Sequence, residues 1–159
     1  MENHAPVLIR KVTVAQIAND PDFNKLARLY AEECRPDGMP EMKLDFDTYQ
    51  RLEDVGMLRV YGACLAFRKK LVGFVVVLTP PSLHYSTRIA TVDSIYVLPE
   101  HRKFGTGQRL LGIAETAAML TGCTGIFVNA PTGGRLSRAM AAVGYKQAYS
   151  LFFRGFKNG

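Results

Sequence analysis

The segment IATVDSIYVLPEHRKFGTGQRLLGIAETAAML, residues 89–120, constrains the fold more than any other stretch of this chain. Its opening, IATVDSIYVL (89–98), is rich in β-branched residues and reads as a strand. Its close, GQRLLGIAETAAML, sets Leu110, Ala114 and Ala117 along one helical stripe. Between them stand His101, Arg102 and Lys103 and a Gly-Thr-Gly step. A strand delivered into a helix, with a second apolar strand in GIFVNA (125–130), predicts a parallel β-α-β crossover. Gly105 and Gly107 cost backbone entropy where they stand, so a bare main chain must serve some purpose at that turn.

The rest of the chain fits around this unit. VLIRKVTV (7–14) alternates as a first strand. DPDFNKLARLYAEEC reads as a helix with Asp20 as N-cap, Pro21 in first position, and Phe23, Leu26, Leu29 and Tyr30 on one face. RPDGMPEMK breaks it, and DFDTYQRLEDVG resumes as a short amphipathic helix carrying Phe46, Tyr49 and Leu52. LRVYGACLAF and LVGFVVVL flank RKK as a hairpin. GGRLSRAMAAVG reads as a last helix and YKQAYSLFFRGF (145–156) as closing strand material. The expected order is β-α-α-β-β-β-α-β-α-β: a mixed α/β fold with a central sheet flanked by helices, built as one domain over residues 1–159.

Lying between strand and helix, the glycine loop presents amides that lack intrahelical partners and sit at the positive end of the helix dipole. An anion, above all a phosphate, suits that place. A Walker loop requires a lysine after the second glycine, which is missing; the dinucleotide fingerprint requires a third glycine one place earlier and an acid about 20 residues on, also missing. Glycines that only cap a turn are the plain alternative. The pattern R-x-x-G-x-G, Arg102 to Gly107, is matched in full.

SIYVLPEHRKFGTGQRLLGIAE resembles the acetyl-CoA-binding motif of the GNAT superfamily of N-acetyltransferases, and VGYKQAYSLFFRGF resembles the family's ending. The resemblance implies that backbone N–H groups of residues 102–107 (Arg102, Lys103, Phe104, Gly105, Thr106, Gly107) hold the pyrophosphate of acetyl-CoA, with Arg102, Lys103 and Arg109 adding charge. It implies further that the pantetheine arm runs beside Ile95, Tyr96 and Val97, that the Val97 N–H polarises the thioester carbonyl, and that Asn129 contacts the arm. The reaction implied is direct attack by an amine on the thioester. Asp93, the one acid on the central strand, is the preferred base, with a structural hydrogen-bonding role or plain exposure as its alternatives; Glu33 is the weaker candidate. Two positions depart from the family's pattern. Met140 stands where many members carry the proton-donating tyrosine, and Gly133 where an asparagine is common. Ser137, Tyr149 or solvent would then protonate the thiolate.

Charge supplies the view of the acceptor. Residues 32–54 hold eight acids against three bases, whereas Val55 to the end holds thirteen bases against three acids. Phosphate is expected at the basic part, and a cationic acceptor (a polyamine, an aminoglycoside-like molecule, a protein lysine or N-terminus) at the acidic one. Phe46 and Tyr49 either line such a pocket or pack in the core. Cys34, Cys64 and Cys123 are too few and too widely spaced for a disulfide framework or a zinc site, so no metal is expected. With no apolar run of membrane length and no secretory leader, the expected setting is the cytoplasm, away from membranes; a homodimer is left open. Two rivals remain: a coenzyme A-binding module without turnover, which Met140 allows, and a basic nucleic-acid-binding protein, against which the scatter of its cations argues.

Overall fold

A computed structural model of the chain describes residues 5–156. Five strands form one sheet in the order β1-β2-β3-β4-β5: β1 Val7–Val12, β2 Leu58–Leu65, β3 Leu71–Leu78, β4 Arg88–Val97 and β5 Cys123–Val128. All neighbours are antiparallel except β4 and β5, which run parallel across the crossover helix α4, Thr106–Leu120. Every residue of β3 except Leu78 is buried, because helices cover both of its faces. On one face α2 (Pro21–Cys34) seats Phe23 against Phe74, ring centroids 5.0 Å apart. On the other α4 buries Leu110, Leu111, Ala114, Ala117 and Ala118. Fully burying side chains of leucine or phenylalanine size contributes about 1.5–3 kcal/mol each, which makes this double cover the main source of cohesion.

The predicted mixed α/β order holds from β1 to the last helix, α5 (Arg135–Ala142), with two additions. The first strand ends at Val12 rather than Val14. Thr13 caps a short helix α1 (Val14–Ala18): its hydroxyl accepts the Gln16 N–H at 3.2 Å, and the Gln16 side chain accepts the Thr13 N–H at 2.9 Å. This reciprocal pair satisfies two orphan donors and overrides the β-branched run. A 3₁₀ helix, Pro99–Phe104, links β4 to α4. The second amphipathic helix, α3, covers Phe46–Asp54 with Asp45 as its cap.

The closing strand expected over 145–156 does not form: these residues pair with no strand among those described. Side chains rather than backbone guide the segment. The Tyr145 hydroxyl donates to Glu115 of α4 at 2.6 Å, Tyr149 meets Phe127 of β5 edge-on at 5.6 Å, and Phe153 reaches Gly38. Leu151 and Phe152 remain 84% and 90% exposed, so no apolar face exists to bind the segment as a strand.

Candidate functional site

The donor corner is made from main chain. Gly105 takes a left-handed conformation (φ 71°, ψ 17°) that ends the 3₁₀ helix and starts α4, and it offers no side chain as a cap. The first intrahelical bond runs from the Arg109 N–H to the Gly105 carbonyl at 3.0 Å. The amides of Thr106, Gly107 and Gln108 therefore lie ahead of it without helical acceptors. Nothing stands within 4 Å of the place a Cβ on Gly107 would occupy, and one on Gly105 would meet only the Gln108 amide oxygen at 3.8 Å. The Thr106 hydroxyl, buried under the turn, has no partner among the described residues, so hydrogen-bonding capacity is left unused here. This open, amide-rich turn fits a diphosphate.

The basic side chains behave differently from expectation. The Arg102 guanidinium turns back: Nε donates to the Val97 carbonyl at 2.7 Å, the plane lies 5.2 Å from the Tyr96 ring centre, and Nη2 pairs with Glu33 at 2.8 Å. Arg109 donates to the Val7 carbonyl at 3.0 Å. Both act as props between elements, leaving Lys103 exposed beside the loop. Glu33, the second base candidate, is committed to Arg102.

A gap in the sheet lies beside this turn. The Leu98 N–H bonds the Val72 carbonyl at 2.9 Å, which fixes the alternation along β3–β4. Ile95 and Val97 consequently direct their N–H groups away from β3, toward β5. The β4–β5 ladder has already ended by then, at Val92 opposite Val128, with the Asn129 N–H meeting the Val92 carbonyl at 3.3 Å. Strand β4 thus presents an unpaired stretch of backbone edge over residues 93–97, with Asn129 exposed at the fork. An extended, amide-bearing chain can add to such an edge as a strand would.

Asp93 sits where β4 changes register. Val76 faces Ser94 and Val77 faces Val92, so Asp93 is the extra residue of a β-bulge. A bulge re-aims a side chain, and here it turns the carboxylate into a cavity of about 320 Å³ walled by Phe23, Tyr30, Tyr49 and Phe74. Asp93 is exposed to solvent on one side, and the rings on the cavity side thin out the water. That desolvation raises its pKa, against the lowering effect of a Ser94 hydrogen bond. The Tyr30 hydroxyl reaches the Asp93 carbonyl at 3.5 Å. Both phenols are pushed up to about 12, by burial first and by charged neighbours including Asp93 second, and are neutral at ordinary pH.

The remaining candidates lie elsewhere. Ser137, half-buried on α5, lines neither this cavity nor the larger one of about 670 Å³ between α2 and the 35–46 loop. Met140 packs against the core, and Tyr149 is spent on Phe127. Tyr30 was visible in the sequence only as part of a helix face. No local pattern ties it to Asp93, 63 residues away, and only packing unites them. Among the described residues there is no group of three or more potential metal ligands and no helix long and apolar enough to cross a membrane.

Comparison with known proteins identifies the family and the fold. The profile of the acetyltransferase (GNAT) family matches residues 22–145. No curated protein sequence matches the chain. Among solved structures, a ribosomal-protein-alanine N-acetyltransferase from Brucella melitensis is similar at 23% identity over 95% of this chain and 99% of that one, with a TM-score of 0.69. An aminoglycoside acetyltransferase from an uncultured soil sample, in complex with sisomicin, is similar at 18% identity, covering 95% and 97%, with a TM-score of 0.72. An aminoglycoside N-acetyltransferase in complex with CoA gives 14% identity, 99% coverage of both chains and a TM-score of 0.71. At these identities the structural likeness speaks for the fold.

Proposed function

This chain belongs to the acetyltransferase (GNAT) family, a family of acetyl-CoA-dependent acetyltransferases, and from that premise we propose that it moves the acetyl group to a primary amine by direct attack in a ternary complex. The open amides of Thr106, Gly107 and Gln108 would hold the diphosphate, and the unpaired edge of β4 at Ile95 and Val97 the amide-bearing arm. The observation that carries the reading is the adjacency of three features on one strand and its exit loop: an anion-receptive turn, a free ladder edge and a lone carboxylate on a bulge.

In the proposed reaction the amine enters as an ammonium ion and gives one proton to Asp93, which desolvation makes a stronger base than an ordinary carboxylate. Nitrogen then bonds to the acyl carbon to give a tetrahedral species, whose collapse breaks the carbon–sulfur bond. The second nitrogen proton passes through water to the departing thiolate, and Asp93 returns the first to solvent. In this reading the Val97 N–H, which points away from β3, would donate to the developing oxyanion. Met140 offers no acidic proton, but a thiolate leaves without one at moderate cost. The free thiols Cys34, Cys64 and Cys123 are compatible with a reducing cytoplasm.

The test is thermal denaturation with and without acetyl-CoA, followed by thiol release with a panel of amines. Stabilisation of about 2.7 kcal/mol is expected at a hundredfold excess over Kd. Stabilisation without thiol release from any amine would leave a silent coenzyme-binding module instead, and absence of stabilisation would end the reading.

A further inference from the structure

The acidic segment 32–54 points to a cationic acceptor, yet the structure uses much of that acidity internally. Glu33 pairs with Arg102, and Asp45 accepts both the N–H and the hydroxyl of Thr48 as the cap of α3. Glu53 accepts the Val14 N–H at 3.1 Å, and Asp54 accepts from Gln50 at 2.8 Å. Glu32, Asp37 and Glu41 line the larger cavity, where Arg28 and Arg35 stand beside them. The smaller cavity, the one that holds Asp93, is a different environment. Its other carboxylate is the capping Asp45, its cation is Lys43, and apart from Ser94 the rest of its wall is apolar or aromatic.

The rings there belong to a continuous chain that runs through Phe46 of the larger cavity. Tyr30 meets Phe74 at 6.2 Å, Phe74 meets Phe23 at 5.0 Å, Phe23 meets Phe46 at 6.3 Å and Phe46 meets Tyr49 at 5.9 Å. The faces of neutral tyrosines and phenylalanines attract one ammonium, and the two carboxylates less the Lys43 cation leave one net counter-charge. A second cation along the same stem would lie among rings and Lys43, with Asp45 already engaged by Thr48, a cost that grows as water is excluded. At about 320 Å³ the space beside Asp93 is at the small end for ligand pockets and suits a slender stem.

We infer that the acceptor is a small primary monoamine on an apolar stem, alkyl or arylalkyl, and that Tyr30 and Tyr49 select it by walling the approach to Asp93. This rests on the proposed acetyl transfer and specifies its acceptor.

The experiment compares phenethylamine and hexylamine with spermidine and an aminoglycoside, reading thiol release at saturating acetyl-CoA. The monoamines are expected to show a kcat/KM at least tenfold higher. Tyr49→Leu should raise the KM for phenethylamine about tenfold, the equivalent of about 1.4 kcal/mol of lost ring contact, with the KM for acetyl-CoA unchanged; Tyr49→Phe should restore it. A preference for spermidine or the aminoglycoside, or an unchanged KM in Tyr49→Leu, would overturn the inference while leaving acetyl transfer intact. Should no amine release thiol, binding of phenethylammonium to the acetyl-CoA-loaded protein, followed by saturation-transfer NMR, decides the matter. Binding that Tyr49→Leu abolishes supports the pocket assignment, and no binding refutes it.

Discussion

The two halves of the site are made from different materials. The donor corner, from Val97 to Gln108, uses peptide groups: amides ahead of the first bond of α4 and a strand edge that β5 has left. The acceptor cavity uses side chains drawn from α2, the 35–46 loop, α3, β3 and β4, brought together only by packing. A backbone site tolerates change in most of its side chains but not added bulk or charge. A side-chain site fails piece by piece.

The sharpest test of that contrast is Gly107→Glu. A Cβ there meets nothing, so the fold should be undisturbed, with the melting temperature within a degree or two of wild type. A carboxylate planted before the helix amides should nevertheless weaken acetyl-CoA binding by about 100-fold or more, roughly 2.7 kcal/mol, measured by calorimetry. Retained binding would show that the corner is not the donor site. On the acceptor side, Asp93→Asn should spare acetyl-CoA binding and lower kcat about 100-fold or more, the usual loss for a general base. The acid limb of the pH–rate profile should vanish with it, since in the wild type the rate falls as pH drops through the raised pKa of Asp93.

The same variant has a stability signature of opposite sense. Folded Asp93 holds its proton more tightly than the unfolded chain, whose value lies near 3.8. Between that value and the raised one the folded state binds more protons, so stability falls as pH rises. Asp93→Asn removes this loss and should melt above wild type at neutral pH, with the gap closing in acid. A variant that melted lower at every pH would recast Asp93 as a structural hydrogen-bonding residue.

Smaller effects probe the joint between the halves. A Cβ on Gly73 would approach the Tyr96 carbonyl to 2.9 Å and Val97 Cγ2 to 3.1 Å, so Gly73→Ala should cost about 1–3 kcal/mol in denaturant unfolding and shift the donor edge with it. Glu33→Gln frees Arg102 from its partly exposed ion pair and should cost less than about 1 kcal/mol, since the hydrogen bond to the Val97 carbonyl remains. A larger loss would mean that the Arg102 brace couples α2 to the donor turn.

The sequence by itself determined what depends on neighbours in the chain. The strand–glycine–helix order around Gly105 announced a crossover and an anion-receptive turn because φ freedom, capping and periodicity are all local. Thr13 and Gln16 carried the signal for α1 as well, overshadowed by the β-branched run before them. Tertiary structure alone decided what depends on distant partners. It turned Arg102 and Arg109 inward, consumed half of the acids of 32–54 in caps and pairs, and set Tyr30, Tyr49 and Phe74 around a carboxylate aimed by a bulge. It also left 145–156 unpaired, since β propensity cannot supply a partner edge in register. Charge and ring counts say what a surface contains. Where those groups point is fixed by packing, and chemistry follows direction.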